Sequence, residues 1–179
     1  MKIGADRLEV LAKSNLQSGA HDDLEDGACA MEMVAYLAEE EHSDAPECAC
    51  PVLTSFVWSW NDSLSETDRN RLLKPLIPRL VGTRATKEAE ERRGRMVLDW
   101  YEREFTPAWL DLVVSIRGHF SETLELPSID ATAMDASWTA ARASAKATAW
   151  ARRGGADLTV KILQSSAVAL LERMIEVQA

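Results

Sequence analysis

Val160, Leu163, Ala167, Leu170, Met174 and Val177 recur at alternating steps of three and four residues. That spacing puts all six on one face of an α-helix, in the pattern of a short coiled-coil seam. An apolar seam needs a cover, and the stretch 130–152 supplies one. It is rich in alanine, the best helix former, and small side chains permit close approach of two helix backbones. Gly154 and Gly155 separate the two stretches, so 130–177 reads as a C-terminal helical hairpin. A homodimer through the C-terminal helix is the other use of the same seam.

The helical period extends through the rest of the chain. Residues 5–13 fit a short helix or a strand, and 14–27 read as a loop rich in Ser, Asn, Gly and acids. A helix is expected over 28–41, with Cys29, Met33 and Tyr36 on one stripe. Residues 42–50 break the period and read as a second loop. Pro51 opens the next helix, since proline suits the first helical position. Ser65 opens another, with Asp68 three residues on in place of a capping-box glutamate. Gly82 marks a stop, and a long helix is expected over 87–105. Thr106-Pro107 reads as a fresh N-cap with proline at the first position. Residues 118–128, closed by Pro127, read as an interior linker. No sustained two-residue alternation occurs. The expected fold is all-α, a single-domain bundle spanning 1–179, of about seven helices.

Charge divides the chain. Residues 1–50 hold twelve acidic and three basic side chains, while 51–179 hold seventeen of each. The net charge of −9 argues against a nucleic-acid surface, which needs clustered Lys and Arg to displace counterions. It suits solubility, or an acidic face that meets a basic protein. No run approaches the ~20 apolar residues that span a bilayer. The chain opens without the apolar core of a signal peptide, and its three cysteines do not suggest a disulfide framework. A cytoplasmic location is the expectation.

The acidic third also holds all three cysteines and two of the three histidines. Zinc takes thiolate and imidazole in tetrahedral sets, so the segment 14–50 is the candidate metal site. With 29–41 helical, Cys29 and His42 would stand about 20 Å apart and could not share an ion. One set is then His21, Cys29, Cys48 and Cys50, with the second loop running back along its helix. The other joins His42 to Cys48 and Cys50 and borrows a fourth ligand. The first is preferred because it is complete. Glu32, three residues after Cys29 on an apolar helix, could accept from His21 and orient it as a ligand. Without a metal, Cys29 is a small buried hydrophobe and Glu32 points to water. Cys50 could also be a reactive thiol at a helix N-terminus, with His21, His42 or His119 as base.

Other features have bland and sharp readings. His21-Asp22-Asp23 resembles the His-Asp pair of metal-dependent phosphohydrolases but lacks a further histidine upstream. Glu88 and Glu91 fall four residues before Arg92 and Arg95, as helix-surface ion pairs do. Trp58 and Trp60 diverge on one helix, so one is core and the other exposed. Arg79 and Arg84 flank a glycine turn, and either receive an anion or tie the turn to a nearby carboxylate.

The runs Cys29-Ala-Met-Glu32, Cys48-Ala-Cys50-Pro51-Val52, Ser59-Trp60-Asn61-Asp62 and Pro78-Arg79-Leu80-Val81-Gly82-Thr83-Arg84 resemble a family of small uncharacterised proteins of actinobacteria and their phages. The likeness extends over about 17–175 and brings no activity with it. It implies a phage or mobile-element context. The functional expectation is a non-enzymatic protein-binding module, an inhibitor or adaptor with a structural zinc. The alternative is a metal-dependent phosphohydrolase using His21, Asp22, Asp23 and Glu32.

Overall fold

The computed structural model describes residues 3–115 and 132–177, and every regular element among them is helical. The order is α1 (Ala5–Lys13), α2 (Ala30–Ala38), α3 (Pro51–Ser63), α4 (Glu66–Leu73), α5 (Ile77–Leu80), α6 (Lys87–Trp100), a π-helical turn (Tyr101–Phe105), α7 (Thr106–Ser115), α8 (Ala133–Arg153) and α9 (Asp157–Ile175). The all-α bundle expected from the period is what forms. The expected linker 118–128 and His119 lie outside the described residues. No helix among the described residues is long and apolar enough to cross a membrane.

Alanine sets the centre of the molecule. The seam of α9 is buried against α8, as its period requires. Helix α8 also packs against α3 and α6, so the C-terminal hairpin is built into the bundle. The reason is that alanines cover several faces of α8. Ala136, Ala140, Ala141, Ala143, Ala145, Ala147 and Ala151 are all buried. The backbones come close enough for hydroxyls to cross. Ser55 and Ser59 of α3 donate to the carbonyls of Met134 (2.8 Å) and Trp138 (2.9 Å). Ser137 of α8 donates back to that of Val52 at 2.8 Å. On α6, a Cβ added at Gly94 would stand 2.4 Å from that of Ala133, so only glycine admits α8 there.

Aromatic rings fill the space the alanines leave. Phe56, Trp60, Trp100, Tyr101, Phe105, Trp109 and Trp150 form a connected series with centroids 4.9–6.2 Å apart. Trp60 is fully buried and Trp58 is 40 % exposed, the divergence expected of residues two apart on a helix.

Thr106 does not begin a separate helix. Pro107 has no N–H to give, and the chain meets this by widening one turn rather than stopping. The Thr106 N–H and hydroxyl both turn back to the carbonyl of Tyr101. The two helices are therefore continuous through the π turn.

Two buried arginines tie off helix ends. Arg69 donates to the carbonyls of Asn61 (2.7 Å), Leu64 (3.0 Å) and Leu16 (3.4 Å), at the end of α3. Arg93, 1 % exposed, donates to the carbonyls of Thr83 (2.9 Å), Met174 (2.9 Å) and Val177 (2.8 Å), at the end of α9. The last carbonyls of a helix lack partners in their own ladder, and its dipole favours a cation there. Arg79 and Arg84 act on the surface as the tying alternative supposed. Arg79 meets Glu172 at 2.9 Å and Arg84 stands 3.8 Å from Glu90.

Candidate functional site

Cys29 is not inside α2 but is its N-cap. Its sulfur accepts from the Glu32 N–H at 3.4 Å, and the Glu32 carboxylate accepts from the Cys29 N–H at 2.7 Å. This is a capping box with sulfur in place of the usual hydroxyl oxygen. The same carboxylate accepts the His21 N–H and the His21 Nδ1, each at 2.8 Å. Because a carboxylate only accepts, Nδ1 carries the proton. His42 Nε2 donates to the His21 carbonyl at 3.1 Å and stands 3.7 Å from Glu32. Glu32 therefore pins the first loop to the start of α2, and does so from a position 1 % exposed.

The contact between Glu32 and His21 supposed from the sequence is present. The separation of about 20 Å expected between Cys29 and His42 does not hold, since both stand at Glu32. It supposes a helix running to residue 41, whereas α2 ends at Ala38. Glu39 then takes the left-handed conformation (φ 62°) and reverses the chain. Burial pushes the Glu32 carboxyl up. The N–H groups of Cys29 and His21 and the His21 imidazole outweigh it and hold it below its ordinary value. Such a carboxylate stays ionised at neutral pH and has its lone pairs committed.

The second loop returns His42 to His21, but it does not bring Cys48 and Cys50 to His21 and Cys29. Glu40, just past the far end of α2, accepts from the N–H groups of Glu47 (2.7 Å) and Cys48 (2.8 Å) and closes the loop on itself. Helix α2 spans about 13 Å, so Glu40 holds Cys48 at the end away from Cys29. Cys50 caps α3 and gives its N–H to the Thr83 hydroxyl at 3.1 Å, and Arg84 gives its N–H to the Cys48 carbonyl at 2.8 Å. The segment is thus docked on the turn after α5. Among the described residues, no three His, Cys, Asp or Glu side chains are grouped so as to hold a metal ion. The set His21, Cys29, Cys48 and Cys50 is not assembled, and neither is His42 with Cys48 and Cys50.

The remaining candidates are equally committed. Burial pushes the Cys29 thiol up to about 12 and raises that of Cys48. Cys50 is fully buried, which removes the access a nucleophile needs. Asp23 accepts from the N–H groups of Glu25 and Asp26 and so serves its own turn, and Asp22 faces solvent. His21, Asp22, Asp23 and Glu32 do not converge on an open coordination position.

What these clamps hold rigid is a surface. Glu40, Glu41, Ser43, Ala45, Pro46 and Glu47 line a recess of about 360 Å³. Ala45 and Pro46 also line a second groove of about 250 Å³, completed by Ala49, Pro51, Thr54, Ser55, Trp58, Arg84 and Met134. Sequence reasoning found the acids and the exposed tryptophan but missed Met134, which reaches the groove only because α8 crosses α3. A larger cleft of about 650 Å³ lies elsewhere, over Asp68, Arg71, Arg152 and Gln164. There Asp68 is held by Arg71 (2.9 Å) and Arg152 (2.5 Å), so its charges are matched internally. No protein-family model, no curated protein and no solved structure matches this chain.

Proposed function

We propose that the chain is a non-enzymatic protein-binding module, an inhibitor or adaptor whose acidic N-terminal third faces a basic partner. One observation carries this reading. Eight of the twelve acids of that third fall into two groups with different fates. Glu32 and Glu40 are turned inward and brace the two loops. Asp22, Asp23, Glu25, Asp26, Glu41 and Glu47 are exposed and meet no cation within 4 Å among the described residues. Their mutual repulsion opposes folding, and the two clamps hold them in place regardless. A fixed field of one sign accelerates encounter with the opposite sign and rejects like-charged partners. Nucleic acids and anionic membranes fall in the rejected class.

The test is capture from the native host with the immobilised chain, beside a variant carrying Asp22→Lys, Glu25→Lys, Glu41→Lys and Glu47→Lys. None of these four side chains accepts a hydrogen bond that holds a loop, so circular dichroism should report an unchanged fold. A basic protein retained by the wild type, lost by the variant and released as salt rises is the expected result. Identical retention by both chains, or turnover on a phosphoester panel, would remove the reading.

A further inference from the structure

The acidic recess and the apolar groove share a wall, and that juxtaposition names the kind of segment that fits. We infer that the groove between Pro46, Pro51, Trp58 and Met134 is an anchor pocket for a basic polypeptide segment. One bulky apolar side chain enters the groove, and flanking Lys or Arg side chains meet Glu41 and Glu47. The inference rests on the protein-binding reading above and specifies its partner.

Four observations support it. Trp58 is 40 % and Met134 49 % exposed, so a large ring and a flexible thioether both face solvent in one concave place. Partly exposed tryptophan in a pocket is a frequent centre of binding energy, and methionine adapts to varied occupants. The volume of about 250 Å³ suits a single large side chain rather than a folded element. The groove is also preformed. The Ser55 hydroxyl fixes the backbone carbonyl of Met134 at 2.8 Å, and the Arg84 N–H fixes the loop at the Cys48 carbonyl, also at 2.8 Å. A pocket whose backbone is already held loses less conformational freedom when filled. Finally, charge polarises the groove. Glu41 and Glu47 line the recess that adjoins the groove at Ala45 and Pro46, and Arg84, 3.8 Å from Glu90, lines the groove itself. Positive charge on the occupant is therefore directed towards the recess.

The probe is the pentapeptide Lys-Lys-Phe-Lys-Lys, titrated into the full chain and followed by ¹H–¹⁵N NMR. The controls are Lys-Lys-Ala-Lys-Lys and Glu-Glu-Phe-Glu-Glu. The expected result is saturable shifts at the Trp58 indole, Met134, Ala45 and Ala49, with affinity about tenfold or more weaker for each control. Trp58→Ser should abolish the preference for phenylalanine over alanine and leave the dependence on lysine. Shifts confined to the acids and indifferent to the central residue would overturn the pocket, as would no shift at the groove. Equal shifts of the groove signals by anionic vesicles would overturn it too. The two readings part cleanly: a host partner retained undiminished by Trp58→Ser leaves the binding module standing and removes the groove.

Discussion

Glu32 and Arg93 are each 1 % exposed, carry opposite charges and sit at opposite kinds of helix end. Glu32 gathers N–H donors at the start of α2, where the helix dipole favours an anion. Arg93 gathers carbonyls at the finish of α9, where it favours a cation. The difference lies in reach. The partners of Glu32 are His21 and Cys29, both within 11 residues. Those of Arg93 include Met174 and Val177, more than 80 residues away. The first ion fixes a local loop and the second closes the bundle. A buried charge in this chain marks a junction between segments, and its sign follows the helix end it serves.

The largest expected effect is at the distant junction. Arg93→Met leaves the carbonyls of Thr83, Met174 and Val177 without their donor, and stability should fall by about 3–5 kcal/mol. Arg93→Lys should recover less than half, because an ammonium group cannot present a planar fork to three carbonyls. Neighbouring Arg92 is exposed, and Arg92→Met should cost under about 0.5 kcal/mol. Urea denaturation of the three variants tests the comparison. Equal losses at 92 and 93 would break it.

At the local junction the effect is smaller and depends on pH. Glu32→Gln retains the shape but turns one acceptor into a donor facing N–H groups, for a loss of about 1–3 kcal/mol at neutral pH. The folded carboxyl is held below its ordinary value of 4.5. The unfolded chain therefore binds more protons as pH falls through that region. The stabilisation is present above pH 4.5 and is lost as pH drops through the lowered folded value. Glu32→Gln should flatten the stability curve below pH 4.5, whereas Arg93→Met should shift it without changing its slope. Asp68 should leave a residual slope in both. Its burial is outweighed by Arg152, Arg71 and Ser65, so its carboxyl is also held down.

These two residues also show what could be read from the chain alone. The all-α fold was legible because the period of α9, the alanines of α8 and the proline at the start of α3 are local signals, and packing reinforces them. The divergence of Trp58 and Trp60 followed from helix geometry in the same way. Arg93 could not be distinguished from Arg92, since which of two adjacent arginines is buried depends on where α8 and α9 lie. The cysteine and histidine segment misled for a related reason. Residue type suggested a ligand set, but the left-handed turn at Glu39 and the closing carboxylate of Glu40 decide where each thiol goes. Cys29-Ala-Met-Glu32 did hold a readable signal: with serine at position 29 it would be recognised at once as a capping box.

That reading of the cysteines makes the smallest prediction and a sharp one. Cys29→Ser keeps a cap and should be tolerated, while Cys29→Ala removes it at a cost of about 1 kcal/mol. Cys48→Ser should change stability by less than about 0.5 kcal/mol. Its side chain is only half-buried; Glu40 holds the backbone N–H, which any residue but proline provides, and the thiol, whose donor role a serine hydroxyl keeps. A thiolate ligand set would reverse this order, because losing Cys48 would open the coordination sphere and lower the melting temperature, as would a chelator. Thermal melts of the three variants, with and without chelator, therefore decide between sulfur as a cap and sulfur as a ligand. A large fall for Cys48→Ser would return the metal to the acidic third as a brace beside Glu32 and Glu40.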